Sequence, residues 1–178
     1  MSRQVSLPGR RHFDGQDTST RVLYLMEFTH PNLDAPLRLS TDTTERLSTD
    51  PLFYGTRSGW RGADTETDHW RFVTASLEWP GSAEDVMPEV RLSLGLVHSS
   101  ILDVLQSFTS GAVCNIAQVM SCRLDRPEEE HLGLELQTAE ADLSNGGSVD
   151  LVLTYPAIDL ETFPADRMTP RNFPGLYR

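Results

Sequence analysis

The chain contains no lysine. All fifteen of its basic residues are arginine, set against 26 acidic ones, so the formal net charge is −11 and the isoelectric point about 4.8. An acidic surface with no basic stripe repels phosphate backbones, which argues against specific nucleic-acid binding. Arginine's planar fork suits protein interfaces better than the strongly hydrated ammonium of lysine. Long hydrophobic runs are also missing. None approaches the ~18 apolar residues that cross a bilayer as a helix, so no membrane anchor is expected. The opening MSRQVSLPGRRHF has basic residues but no apolar stretch after them, unlike a secretory signal. Residues 1–21 therefore read as an N-terminal arm, disordered or bound to a partner.

Cysteine is limited to Cys114 and Cys122, in an apolar run with no turn signal between them. On one strand they would lie roughly 26 Å apart at ~3.3 Å per residue, far past the ~7 Å limit for a disulfide. Two buried, reduced thiols are expected, as in a reducing cytoplasm. With no CxxC and no Cys/His pairing, a metal site is not expected there.

Catalytic signatures are absent as well: there is no GxSxG, Walker loop, HExxH or GxGxxG. Asp64, Glu66, Asp68 and His69 form the densest cluster of possible cation ligands. Their alternate spacing beside a strand start does not close a loop, and the glycine that bends an EF-hand is missing, so they read as a solvated acidic loop. His98 next to Ser99 and Ser100 suggests a base and a nucleophile, yet adjacent side chains diverge and helix capping accounts for the serines. Trp60, Trp70 and Trp79 are of a type that stacks on sugars or bases, but core and interface roles are commoner. Glu128, Glu129 and Glu130 read as a charged turn. The expectation is a protein that is not an enzyme and takes no cofactor or metal.

What the sequence does contain is period-2 alternation. Residues 22–28 are β-prone and end at the turn formers of 30–36, after which 37–40 alternate as a hairpin partner. Residues 41–68 read as a long polar loop, with 52–54 the only short strand in it; loops of that length are often functional. Residues 70–79 place Val73, Ala75, Leu77 and Trp79 on one face and Trp70 and Phe72 on the other. Residues 90–96, 112–124, 132–143 and 149–155 complete the strands, the last two joined by a hairpin turn at Asn145-Gly146. One helix is expected, at 101–108, where Ile101, Leu102, Val104, Leu105 and Phe108 make a 3.6-period stripe. These elements predict a mainly β fold, an antiparallel β-sandwich or barrel with one α-helix. The β-domain spans 22–155, flanked by extended arms at 1–21 and 156–178.

The C-terminal arm breaks the pattern. Pro156, Pro164, Pro170 and Pro174 interrupt any strand or helix, yet the segment keeps Phe163, Met168, Phe173, Leu176 and Tyr177. A solvated linker is poor in such groups. Phe163, Met168, Phe173, Pro174, Gly175, Leu176 and Tyr177 are therefore the expected interface residues.

The arrangement of 72–78, 90–96, the single helix and the Asn145-Gly146 hairpin resembles a family of small phage minor tail proteins. Members are encoded near the tape-measure gene of long-tailed, non-contractile phages. The run Asp166-Arg-Met-Thr-Pro-Arg-Asn-Phe-Pro-Gly-Leu176 is similar to that family's closing Pro-x-x-Phe-Pro-Gly signature, and the resemblance covers about residues 22–176. It implies a structural component of the tail tip that links the tail tube to the hub or fibre. Its partners would be tail-tube, hub and tape-measure proteins, its assembly a ring, and its location the virion tail, put together in the host cytoplasm. A carbohydrate- or peptide-binding β-sandwich is the alternative.

Overall fold

The computed structural model describes residues 2–3, 5–15, 19–79, 89–95, 111–142 and 148–156. In chain order these form β1 (Ser2–Arg3), α1 (Leu7–Asp14), β2 (Val22–Thr29), β3 (Leu37–Ser40), β4 (Glu45–Thr49), β5 (Leu52–Thr56), β6 (Trp70–Phe72), β7 (Thr74–Glu78), β8 (Glu89–Gly95), β9 (Val113–Met120), β10 (Glu129–Asp142) and β11 (Ser148–Thr154). A short 3₁₀ turn at Trp60–Gly62 lies between β5 and β6. The protein is mainly β, as its alternation predicts.

One mixed sheet carries the fold, in the order β4-β5-β6-β3-β2-β9-β10-β11-β8-β7, with β1 paired to β10. It curls into a half-barrel. The two flanks of that curl are tied by the chain itself: β6 pairs with β3 on one side, β7 pairs with β8 on the other, and only Val73 separates them. Every described pairing is antiparallel except β3 with β6. With that one parallel pair the sheet is mainly antiparallel, as expected, and mixed. The β4–β5 hairpin is inserted between β3 and β6, and the chain re-enters the sheet running the same way it left.

The concave face holds the core. Met26, Phe28, Leu39, Val73, Val90, Leu92, Leu94, Cys114, Ile116, Leu134, Val149, Leu151 and Leu153 pack there as one cluster. Alternation sets which side chains enter it: Leu92 lies opposite Leu77 on one neighbour and Leu151 on the other. The central strands β2 and β9 are buried on both faces. Leu23, Leu25, Ala117 and Val119 face outward under Trp60, Ala63 and Trp70. This outer lid is hydrogen-bonded into place. Trp70 Nε1 donates to Ser58 O at 3.0 Å, Ser58 Oγ donates to Leu124 O at 2.8 Å, and Gly59 N donates to Asp125 Oδ1 at 2.7 Å.

The segment read as an N-terminal arm contains α1, which the sequence reading did not foresee. Ser6 caps it by accepting from Gly9 N at 3.2 Å, and Pro8 sits in the first turn, where a missing N–H costs nothing. The cap is bound to the sheet, since Ser6 N and Oγ both donate to the Glu128 carboxylate. An eight-residue helix is marginal alone, so this docking holds it.

Four further expectations change. Residues 41–68 carry, besides the strand expected at 52–54, which is part of β5, a second strand β4, and the two form a ribbon whose weak burial leaves little period-2 trace. The strand expected over 70–79 is two strands with different partners. Residues 112–124 stop being a strand at Met120, so Cys122 falls in the turn beyond and is exposed, while Cys114 is buried; both are free thiols, as expected. Glu129 and Glu130 begin β10 instead of forming a turn. β10 and β11 pair up to Asp142 opposite Ser148, as the predicted hairpin requires. The Asn145-Gly146 turn itself and the helix expected at 101–108 lie outside the described residues.

Candidate functional site

Registry across the concave face places a polar, aromatic layer at one mouth of the half-barrel. Tyr24, Gln118 and Glu129 lie directly opposite one another on β2, β9 and β10; the next row inward is Met26, Ile116 and His131. Trp79 and Tyr155 extend the same face, each one residue past the end of its strand, β7 and β11. The mouth of a barrel is a recurrent place for ligands, because the scaffold below it is rigid and the rim is open.

His131 is the centre of this layer. Its ring stacks on Trp79, centroids 4.3 Å apart, and Trp79 meets Tyr24 edge-on at 6.2 Å. Tyr155 Oη and His131 Nδ1 share a hydrogen bond. On the other side of the ring, Nε2 lies 3.5 Å from Glu129 Oε1. Burial holds the imidazole below its ordinary range, with the Glu129 charge pulling the other way. Burial, and then Glu129, push the Tyr155 hydroxyl up. At neutral pH the pair is therefore an uncharged imidazole and an intact phenol, suited to hydrogen bonding and stacking. Such perturbed groups mark candidate sites.

Beside the stack is a cavity of about 190 Å³ lined by Val5, Phe13, Trp79, Gln118, Glu128 and Glu129. It is below the ~300–1,000 Å³ usual for small-molecule sites, so it fits a single side chain better than a whole cofactor. Helix α1 contributes Phe13 to it and leaves that ring largely exposed.

A second polar cluster lies on the outer face. Glu27 is only 3% exposed. Its carboxylate accepts from Arg38 Nε at 3.3 Å, Arg61 Nε at 3.3 Å and Asn115 Nδ2 at 3.2 Å. Asn115 Oδ1 in turn accepts from Gly133 N at 2.9 Å, and Arg38 Nη1 pairs with Asp68 Oδ2 at 2.9 Å over the face of Trp70. Arg61 reaches Glu27 from a left-handed backbone, φ 59°. This network ties β2, β3, β9 and β10 to the 57–70 segment and is structural in character.

The residues singled out in the sequence fall apart in space. Trp60 and Trp70 are buried within the outer lid with centroids 5.5 Å apart, while only Trp79 belongs to the mouth. Asp64 and Asp68 serve their own turn: Asp64 Oδ1 accepts from Glu66 N at 3.0 Å, and Asp68 Oδ2 accepts from Asp64 N at 3.0 Å. Residues 98–100 and the expected interface residues Phe163, Met168, Phe173, Pro174, Gly175, Leu176 and Tyr177 lie outside the described residues. Glu27, His131 and Tyr155 were not foreseen. Their signals were a glutamate and two amides (Asn115, Gln118) inside otherwise apolar strands, and a histidine that ends an acidic run.

No family model matches the chain, and no curated protein matches it.

Proposed function

We propose that the protein is a structural, non-enzymatic subunit of a phage tail tip, acting through contacts between subunits in a ring and with tail-tube, hub and tape-measure proteins. The observation that carries this reading is the β4–β5 hairpin. It stands at the end of the sheet, and β4 has no further strand beside it among the described residues. Leu52 and Tyr54 near its tip are 53% and 45% exposed. An open strand edge with exposed apolar groups on the strand beside it is what a neighbouring chain adds to or covers. The curled sheet behind it, packed on both faces of β2 and β9, supplies the rigidity that an assembly subunit needs. The C-terminal signature at 166–176 supports the same reading through its family resemblance.

The alternative, a carbohydrate- or peptide-binding module, draws support from the Trp79–His131 stack and its adjoining cavity. It is weakened as a sugar platform because Trp60 and Trp70 are buried. Immunogold electron microscopy of particles from the phage or prophage that encodes the chain separates the two. Gold at the tail tip is the expected outcome. Particles that carry no label, with the protein recovered free in the lysate, would overturn the tail-tip reading.

A further inference from the structure

Two cavities, of about 270 and 300 Å³, share the side chains of Thr67, His69 and Arg71. The first is walled by the β2–β3 connection through Leu33 and by the start of β3 through Leu37, the second by the β4–β5 hairpin through Leu47 and Phe53. With three lining residues in common, they are two lobes of one groove.

The floor of that groove is short of acceptors. The Arg71 guanidinium lies over the Phe53 ring, Cζ 4.8 Å from its centroid, a cation–π contact that holds it in place. Arg38, Arg57, Arg61 and Arg91 all have carboxylate partners. Arg71 makes no ion pair among the described residues, although the chain carries a net charge of −11. Nearby His69 Nδ1 is buried without a hydrogen-bond partner. The adjacent carboxylate, Asp68, is already engaged by Arg38 and by Asp64 N. The groove thus holds a permanent cation with no anionic acceptor among the described residues, beside a ring nitrogen that has no hydrogen-bond partner.

We propose that this groove binds an acidic peptide segment of a neighbouring protein. One of its carboxylates would pair with Arg71, while a flanking apolar side chain would lie against Leu37 or Phe53. A free inorganic anion would leave both apolar walls uncovered, whereas an extended peptide covers them. The inference rests on the preceding reading only in taking the hairpin side as a contact surface, and its test needs no virion.

The probe is a fluorescein-labelled peptide, Ala-Glu-Phe-Glu-Leu-Ala, titrated with the full chain at low salt and followed by anisotropy. The Gln-for-Glu counterpart is the control. The acidic peptide should bind at least about tenfold tighter than the amide peptide, the size expected for one charge-assisted pair. Arg71→Gln should erase that preference with little change in melting temperature, since among the described residues no carboxylate pairs with Arg71 and only its contact with the Phe53 ring is lost. Arg71→Glu should transfer the preference to Ala-Lys-Phe-Lys-Leu-Ala. Equal affinity for the acidic and amide peptides, no binding of either, or an Arg71→Glu variant that keeps the acidic preference would each overturn the assignment. Gold labelling of the tail tip would be unaffected by any of these results, so the two readings fail separately.

Discussion

Replacing Glu27 by leucine tests how the outer polar cluster contributes to stability. The side chain is 3% exposed and accepts from two arginines and one amide. Removing one partner of a buried ion pair costs about 3–5 kcal/mol, because the other charge is left without compensation. Two features move this site toward the lower end. Arg61 is 43% exposed and can turn into water, so its loss is screened. Arg38, only 11% exposed, keeps Asp68 at 2.9 Å. Asn115 Nδ2 loses its acceptor in a buried position, at about 1 kcal/mol. Glu27→Leu should thus destabilise by about 3–4 kcal/mol, read by urea denaturation with tryptophan fluorescence, since Trp60 and Trp70 lie in the same lid. The double variant Glu27→Leu/Arg38→Met should recover at least about 1 kcal/mol, as pairs in contact are non-additive. A Glu27→Leu cost under about 1 kcal/mol, or full additivity in the double variant, would refute the account of a buried, mutually dependent cluster.

In thiol titration of the native protein, exposed Cys122 should react at once. Cys114, fully buried and with its thiol pushed well up by burial and the nearby Glu27 charge, should react only on unfolding; two fast thiols would contradict the packing of β9. His131 should make folding weaken in acid. Its imidazole is held below the ordinary value of about 6.5 by burial, so the unfolded chain binds a proton that the folded chain does not. Its stabilising share is then complete above about pH 6.5 and declines as pH falls through that value toward the lower folded one. The groups facing the ring are Glu129, Tyr155 and Trp79, so the check is the melting-temperature gap between the wild type and His131→Asn, which should narrow as pH is lowered from about 7 to 5; a pH-independent gap would exclude it. At Arg61, where φ is 59°, glycine should be more stable than alanine by about 1 kcal/mol, since both lose the Glu27 contact and only alanine keeps the left-handed strain. Equal denaturation midpoints for the two variants would show that the turn carries no strain.

The sequence by itself determined the β class, the paired strands about 143–147 and the side chains that face the core. Those properties are local: period-2 alternation decides which side of a strand meets apolar neighbours, as Val73, Ala75, Leu77 and Trp79 illustrate. It did not reveal that residues 70–78 serve both flanks of one curled sheet, because the partners of β6 and β7 are set by strands distant in the chain. It missed β4 and found only residues 52–54 of β5 for a related reason, since a ribbon with little burial on either face has little alternation to read. The polar groups were hidden differently. Glu27 and His131 carry no pattern in the sequence that distinguishes their partners, and only tertiary packing brought arginines to one and tryptophan, tyrosine and glutamate to the other. Burial of a charge or an imidazole depends on which partners arrive to compensate it, and a single strand's sequence does not name its partners.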